Sequence, residues 1–142
     1  NDLGRGNGEI LHEFNGRVIT NRDDSDFIGA EVGSNNTAEL TAFAEALRWC
    51  LKEGSDSEII IKTDSQYAGN QATGAWKAKA NRELVAHVQS LWNEVSGLRP
   101  ISWDHVKAHS GHRWNERADH LAIRAASDET PVPLSFWKPG QR

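Results

Sequence analysis

Three carboxylates stand out for where they fall. Asp64 closes the apolar run Glu58-Ile59-Ile60-Ile61-Lys62-Thr63. An isoleucine run of that length, bounded by turn formers, predicts a strand buried on both faces with the acid at its carboxyl end. In open α/β sheets ligands and chemistry gather at that end. Glu39 and Asp119 fall at the edges of amphipathic helical patterns able to pack on such a strand. Carboxylate oxygens are hard ligands suited to Mg²⁺ or Mn²⁺, and three of them cannot converge without a cation to offset their repulsion. Two such ions roughly 4 Å apart can hold a scissile phosphate, generate a hydroxide nucleophile and stabilise the leaving oxygen. That chemistry is phosphodiester hydrolysis.

Taken singly, each acid has a structural explanation. Asn36 as N-cap with Glu39 three residues on satisfies a capping-box pattern, Asp64 can cap the helix that follows it, and Asp119 can be a helix-surface acid. A rival constellation is His105, His109, His112 and His120, grouped around one strand end and helix start. Zinc asks for about four His or Cys ligands, yet these positions straddle a strand and a loop, and the lone Cys50 is far off in sequence. The carboxylate reading is the stronger.

The elements that must position these groups follow from periodicity. Asn1 to Gly8 is rich in turn formers. Glu9 to Phe14 alternates before Asn15-Gly16, and Arg17 to Asn21 and Phe27 to Val32 read as further extended pieces, which predicts an antiparallel meander or interrupted hairpin. Between them Asp23, Asp24 and Asp26 read as a solvated turn. Leu40, Phe43, Ala44, Leu47 and Leu51 recur at helical spacing from Ala38 to Glu53, with Gly54 as the stop. Ser65 to Gln71 starts a short helix, and Leu84, Val88, Leu91 and Val95 mark another, ended by Gly97 and Pro100. Ile101 to Lys107 predicts a strand, followed by a helix with Ala118, Leu121, Ala122 and Ala125 on one face and Asp119 beside it. Strands, then helices alternating with strands, indicate a mixed sheet with helices packed on it. Residues 127–142 read as a docked or mobile extension.

Composition narrows the class. With 142 residues the chain is the size of one domain, and no apolar stretch approaches the roughly 20 residues needed to cross a bilayer. One cysteine rules out disulfides within the chain and makes a reducing, cytoplasmic setting the expectation. The net charge of −4 argues against indiscriminate nucleic-acid binding, so basic contacts must be local. The segment Trp76-Lys77-Ala78-Lys79-Ala80-Asn81-Arg82 is the one basic stretch with an aromatic in it, although a packed Trp beside solvated lysines is the plainer reading. The chain has no methionine, so Asn1 is not expected to be a translation start.

Asn35-Asn36-Thr37-Ala38-Glu39-Leu40, Thr63-Asp64-Ser65-Gln66-Tyr67, Val106-Lys107-Ala108-His109-Ser110-Gly111-His112 and Asn115-Glu116-Arg117-Ala118-Asp119 occur in order. Together they resemble the successive motifs of type 1 ribonuclease H, over about residues 27 to 126. The resemblance implies an α/β domain over 1–126, a ribonuclease H-like mixed sheet flanked by helices, with 127–142 as a tail. It implies a monomeric endoribonuclease, without membrane attachment, that cuts the RNA strand of RNA/DNA hybrids with two Mg²⁺ ions, Mn²⁺ substituting, and leaves a 5′-phosphate and a 3′-hydroxyl. Carried over by position, Glu39, Asp64 and Asp119 would be metal ligands and His109 would assist proton transfer or product release. Asn35, Asn36, Gln66 and Asn81 would contact the hybrid, in part by reading 2′-hydroxyls, and Trp76 to Arg82 would lie near the DNA strand.

The family opens on a strand ending in Asp-Gly-Ser, and this chain contains no such tripeptide. One register makes Asp2 the matching acid. Another, which the form of Phe27 to Val32 favours, places Gly8 to Phe14 at the start of the third strand, so that the first strands and the first acid are short or missing. A second functional reading follows: a ribonuclease H-like module, catalytically incomplete, that binds hybrids or serves as an interaction scaffold.

Overall fold

The computed structural model describes residues 10–107 and 113–138. The chain divides into two compact units, one spanning 18–105 and the other combining 1–17 with 106–142.

In the 18–105 unit the order is α1 (Asn35–Glu53), β1 (Ile59–Thr63), α2 (Gln66–Ala72), α3 (Arg82–Ser96) and β2 (Ile101–His105). Leu40, Phe43, Ala44 and Leu47 make one apolar stripe of α1, and Leu84, Val85, Val88 and Val95 make that of α3. Ala68 and Ala72 of α2 complete the core, and Phe43 meets Trp92 with ring centroids 5.9 Å apart. Helix α1 stops where Gly54 turns left-handed at φ 74°, its N–H reaching the Cys50 carbonyl. Buried Arg99 then ties that end to the approach to β1. Its Nη1 donates to the Cys50 carbonyl at 3.1 Å and to Glu53 Oε1 at 2.7 Å, and its Nε donates to the Ser57 carbonyl at 2.9 Å. A guanidinium satisfies carbonyls that a helix C-terminus otherwise leaves open.

β1 and β2 run parallel, Ile59 opposite Ile101 through Thr63 opposite His105. Parallel pairing requires a crossover, which α2 and α3 supply. Helix α2 approaches β2 at Gly69, where a Cβ would collide with the Trp103 ring. The isoleucine run is a strand, but its burial is one-sided: Ile60 is 47% exposed while Ile59 and Ile61 pack on the core. β2 ends at His105, two residues before the predicted boundary.

The expected meander does not form. Among the described residues, 10–34 contain no strand, only turns and irregular backbone. Alternation specifies which side chains share a face, whereas a strand needs a ladder partner, and isolated hairpins are marginal in water. Leu11 and Phe14 are accordingly exposed. The acidic segment is the solvated turn expected of it. Asn21 Oδ1 accepts from the Asp23 N–H and Asp24 Oδ1 from the Asp26 N–H, each at 2.9 Å.

The other unit is organised on α4 (Arg113–Ala126). Its buried face meets the predicted stripe only in part: Ala125 is buried and Leu121 half-buried, but Ala118 and Ala122 are exposed, and Arg117 and His120 are buried instead. Residues 127–138 fold back to create that burial. His120 Nε2 accepts from the Val132 N–H at 3.0 Å, and Trp137 packs near the His120 ring. Arg117 donates to both Glu13 carboxylate oxygens at 2.7 and 2.9 Å and to the Val132 carbonyl at 2.8 Å. Its guanidinium also lies 5.4 Å from the Trp137 centroid. Apolar periodicity cannot announce a helix face buried through paired polar groups.

Candidate functional site

The first turn of α1 is fixed by a residue that the sequence reading passed over. Ser34, in extended backbone, is the N-cap. Its Oγ accepts from the Thr37 N–H at 3.1 Å while Thr37 Oγ1 accepts from the Ser34 N–H at 2.8 Å. This reciprocal box replaces the expected Asn36–Glu39 pair. Asn35 and Asn36 are therefore the first two helical residues, both exposed, and Glu39 sits half-buried outside the box. Asp64 has a parallel correction. The N-cap of α2 is Ser65, whose Oγ accepts from the Ala68 N–H at 3.0 Å, so Asp64 stands in the bend between β1 and the cap.

Beside these two helix starts lies a groove of about 550 Å³. Asn36 of α1 and Tyr67 and Gln71 of α2 form one side, and the connection from Ala75 to Asn81 forms the other. That connection begins where the Trp76 N–H donates to the Asn70 carbonyl at 3.1 Å. Trp76 is 44% exposed, so it is packed over part of its surface and open to a ligand over the rest. Lys77 and Lys79 lie on the same wall and are exposed. Asn81 closes it in left-handed backbone, φ 54° and ψ 35°, a conformation that asparagine tolerates better than most residues. Its Nδ2 donates to the Tyr67 hydroxyl at 3.2 Å, and it leaves the N-terminus of α3 without a side-chain cap. A broad aromatic face, two cations and an uncapped helix start suit a strand that carries phosphates and stackable rings.

The anticipated residues divide. Asn36 and Asn81 line the groove, whereas Asn35 and Gln66 are exposed at the starts of α1 and α2 and are not among its walls. Glu39 and Asp64 belong to the 18–105 unit and Asp119, half-buried on α4, to the other. Among the described residues no three His, Cys, Asp or Glu side chains are gathered so as to hold a metal ion. His109 and His112 lie outside the described residues, as does Asp2. Of the remaining histidines in the zinc alternative, His105 is exposed at the end of β2 and His120 is committed to the Val132 N–H. Tyr67 and Gln71 were missed, and helical spacing held the signal: they are four residues apart, on one face of α2.

The family model for RNase H matches residues 11–127. The chain belongs to the RNase H family. Ribonuclease H of Neisseria meningitidis serogroup C is 37% identical over 112 residues, covering 71% of this chain and 74% of that protein. Ribonuclease H of Klebsiella pneumoniae strain 342 is 38% identical over 118 residues, covering 76% and 74%. The crystal structure of RNase H1 from the halophilic archaeon Halobacterium salinarum superposes with a TM-score of 0.55 at 34% identity, covering 68% of this chain and 70% of that one. Each motif quoted from the sequence falls inside the span that the RNase H model matches, and Asp2 falls outside it.

Glu39 and Asp64 fit the hard-cation chemistry by donor type, and neither is used up as a helix cap. No described helix is long and apolar enough to cross a membrane.

Proposed function

We infer that this chain is an endoribonuclease that hydrolyses the RNA strand of RNA/DNA hybrids. The observation that carries the reading is the groove. Its walls begin at the same two corners, the start of α1 and the turn from β1 into α2, that carry Glu39 and Asp64. The relatives named as ribonucleases favour an enzyme over a binding module that has lost its chemistry.

In this reading residues 1–126 are the catalytic domain and 127–142 its tail, and the chain acts as a monomer. Trp76 stacks on a sugar or base of the DNA strand, Lys77 and Lys79 neutralise its phosphates, and Asn81 places the uncapped N-terminus of α3 against the same backbone. Asn35, Asn36 and Gln66 face the shallow groove of the hybrid, where 2′-hydroxyls distinguish RNA from DNA. Glu39, Asp64 and Asp119 would hold Mg²⁺, with Mn²⁺ as a substitute. Bound there, such ions supply activation of water and stabilisation of the leaving oxygen, so that the products carry a 5′-phosphate and a 3′-hydroxyl. His109 assists proton transfer or product release.

The test is cleavage of an end-labelled hybrid with Mg²⁺, with Mn²⁺ and with chelator, beside Asp64→Asn. The substitution removes a ligand's charge with little change of shape. Metal-dependent cleavage that Asp64→Asn abolishes, with hybrid binding retained, is the expected result; unchanged turnover in the variant would refute the assignment.

A further inference from the structure

Gln71 is used by nothing described so far, and its surroundings are unusual for a glutamine. It is only 5% exposed, lines the groove, and has a buried side-chain carbonyl oxygen with no hydrogen-bond partner. A buried acceptor left unsatisfied is costly, and native structures rarely keep one without a role. The backbone beneath it is held in place. Gln89 Nε2 donates to the Gln71 carbonyl at 2.9 Å, and the flanking Ala72 and nearby Ala68 are core residues. Asn81 on the opposite wall directs its Nδ2 to the Tyr67 hydroxyl and makes no bond to Gln71.

We propose that Gln71 is a specificity-determining residue of this groove, its side-chain carbonyl accepting a hydrogen bond from a donor on the nucleic-acid strand that lies there. The proposal rests on the reading of the groove as a nucleic-acid site. It narrows what the strand can offer. Phosphate and ring oxygens only accept, and the shallow-groove edges of A·T pairs present only acceptors. With the shallow groove of the hybrid facing this wall, two donors remain, the ribose 2′-hydroxyl and the 2-amino group of guanine. A deoxy strand without guanine at the contacted position leaves the Gln71 oxygen unmatched; a guanine or a single ribonucleotide there satisfies it. Cleavage at a given phosphate therefore depends on one position of the opposite strand.

The experiment pairs one labelled RNA with a set of complementary DNA strands. In one arm each guanine is replaced in turn by inosine, which lacks the 2-amino group but still pairs with cytosine. In the other arm single ribonucleotides are scanned through the strand. kcat/KM is measured for the wild-type chain, for Gln71→Leu and for Gln71→Met, the second keeping an unbranched chain in case leucine disturbs folding. For the wild type, one register relative to the cut should show a preference of about three- to tenfold for the strand carrying the donor, the size of one neutral hydrogen bond. Within each variant that ratio should fall to about one. A response to inosine assigns the donor to guanine, and a response to the ribonucleotide assigns it to the 2′-hydroxyl. If no position responds in the wild type, or if both variants keep the preference, Gln71 does not read the strand. Hybrid binding by Trp76→Ala separates the two levels: binding indifferent to Trp76 removes the groove itself, whereas dependence on Trp76 without a Gln71-dependent ratio removes only this proposal.

Discussion

Trp76 gives the groove its sharpest test, because the structure sets the size of the effect. A tryptophan presents on the order of 250 Å², and Trp76 is 44% exposed, which leaves roughly 110 Å² for a ligand. A stacked sugar or base shields one face, about half of that area. At about 25 cal/mol per Å² the contact is worth about 1.4 kcal/mol, a tenfold change in affinity and within the ~1–3 kcal/mol found for stacked bases. Trp76→Ala should therefore raise Kd for a labelled RNA/DNA hybrid about tenfold, measured by fluorescence anisotropy in chelator so that no turnover intervenes. Trp76→Phe, which keeps an aromatic face, should recover most of the loss. The half of Trp76 that is packed makes a thermal melt of each variant a necessary companion. An Ala variant that is folded and binds within twofold of the wild type would refute the stacking role and, with it, the placement of a strand in this groove.

The remaining predictions concern charge, packing and protonation. Replacing both Lys77 and Lys79, exposed on the groove wall, by alanine should flatten the dependence of log binding constant on log salt by about 0.7–0.9 per lost phosphate contact, and a slope that does not move would mean that neither lysine touches phosphate. Gly69→Ala places a Cβ against the Trp103 ring, a contact with no flexible end to yield, so the melting temperature should fall in keeping with an overpacking cost of about 1–3 kcal/mol; an unchanged melt would show that α2 and β2 separate freely. Burial, reinforced by Arg48 and opposed by Glu45, holds the His87 pKa below its ordinary 6.5. The native state thus favours neutral His87, and its stability is full above pH 6.5 and declines as pH falls from there toward the lower folded pKa. His87→Gln should level that part of a denaturant-midpoint-against-pH curve, and an identical decline in the variant would exclude His87 as its source.

How much of this was legible depends on what kind of signal each element carries. α1 and α3 could be read because their core contacts repeat at helical spacing, and the helix stop at Gly54 because a left-handed residue is needed there. β1 was legible as a strand but not in its burial, since an unbroken isoleucine run does not say whether the face of Ile60 is covered. The N-terminal alternation failed for the same reason at larger scale: period two is a property of the segment, while strand formation is a property of a pair. On α4 the reading followed alanines, of which Ala125 is buried, whereas the other buried positions are an arginine and a histidine whose hydrogen-bond partners, Glu13 and Val132, lie outside the helix. Gln71 shares a face of α2 with Tyr67 at helical spacing, but nothing marks that face as functional until the groove and the unpartnered oxygen are known.

The two capping corrections bear directly on function, because they act on the explanations that competed with it. In the sequence, Glu39 had a structural role in an Asn36–Glu39 box and Asp64 one as the cap of α2, and a residue with a sufficient structural role needs no catalytic one. Ser34 and Thr37 satisfy the first helix start between themselves, and Ser65 satisfies the second. A helix N-terminus is stabilised by a side-chain acceptor and takes serine as readily as aspartate or asparagine, so a serine at each true cap relieves the neighbouring acid of that duty. Both acids sit half-buried at the corners from which the groove walls begin. Replacing Ser34 or Ser65 should therefore cost helix stability, while replacing Glu39 or Asp64 should cost turnover. The separation of those two losses, melting temperature on one side and cleavage rate on the other, is what distinguishes residues that build the corner from residues that use it.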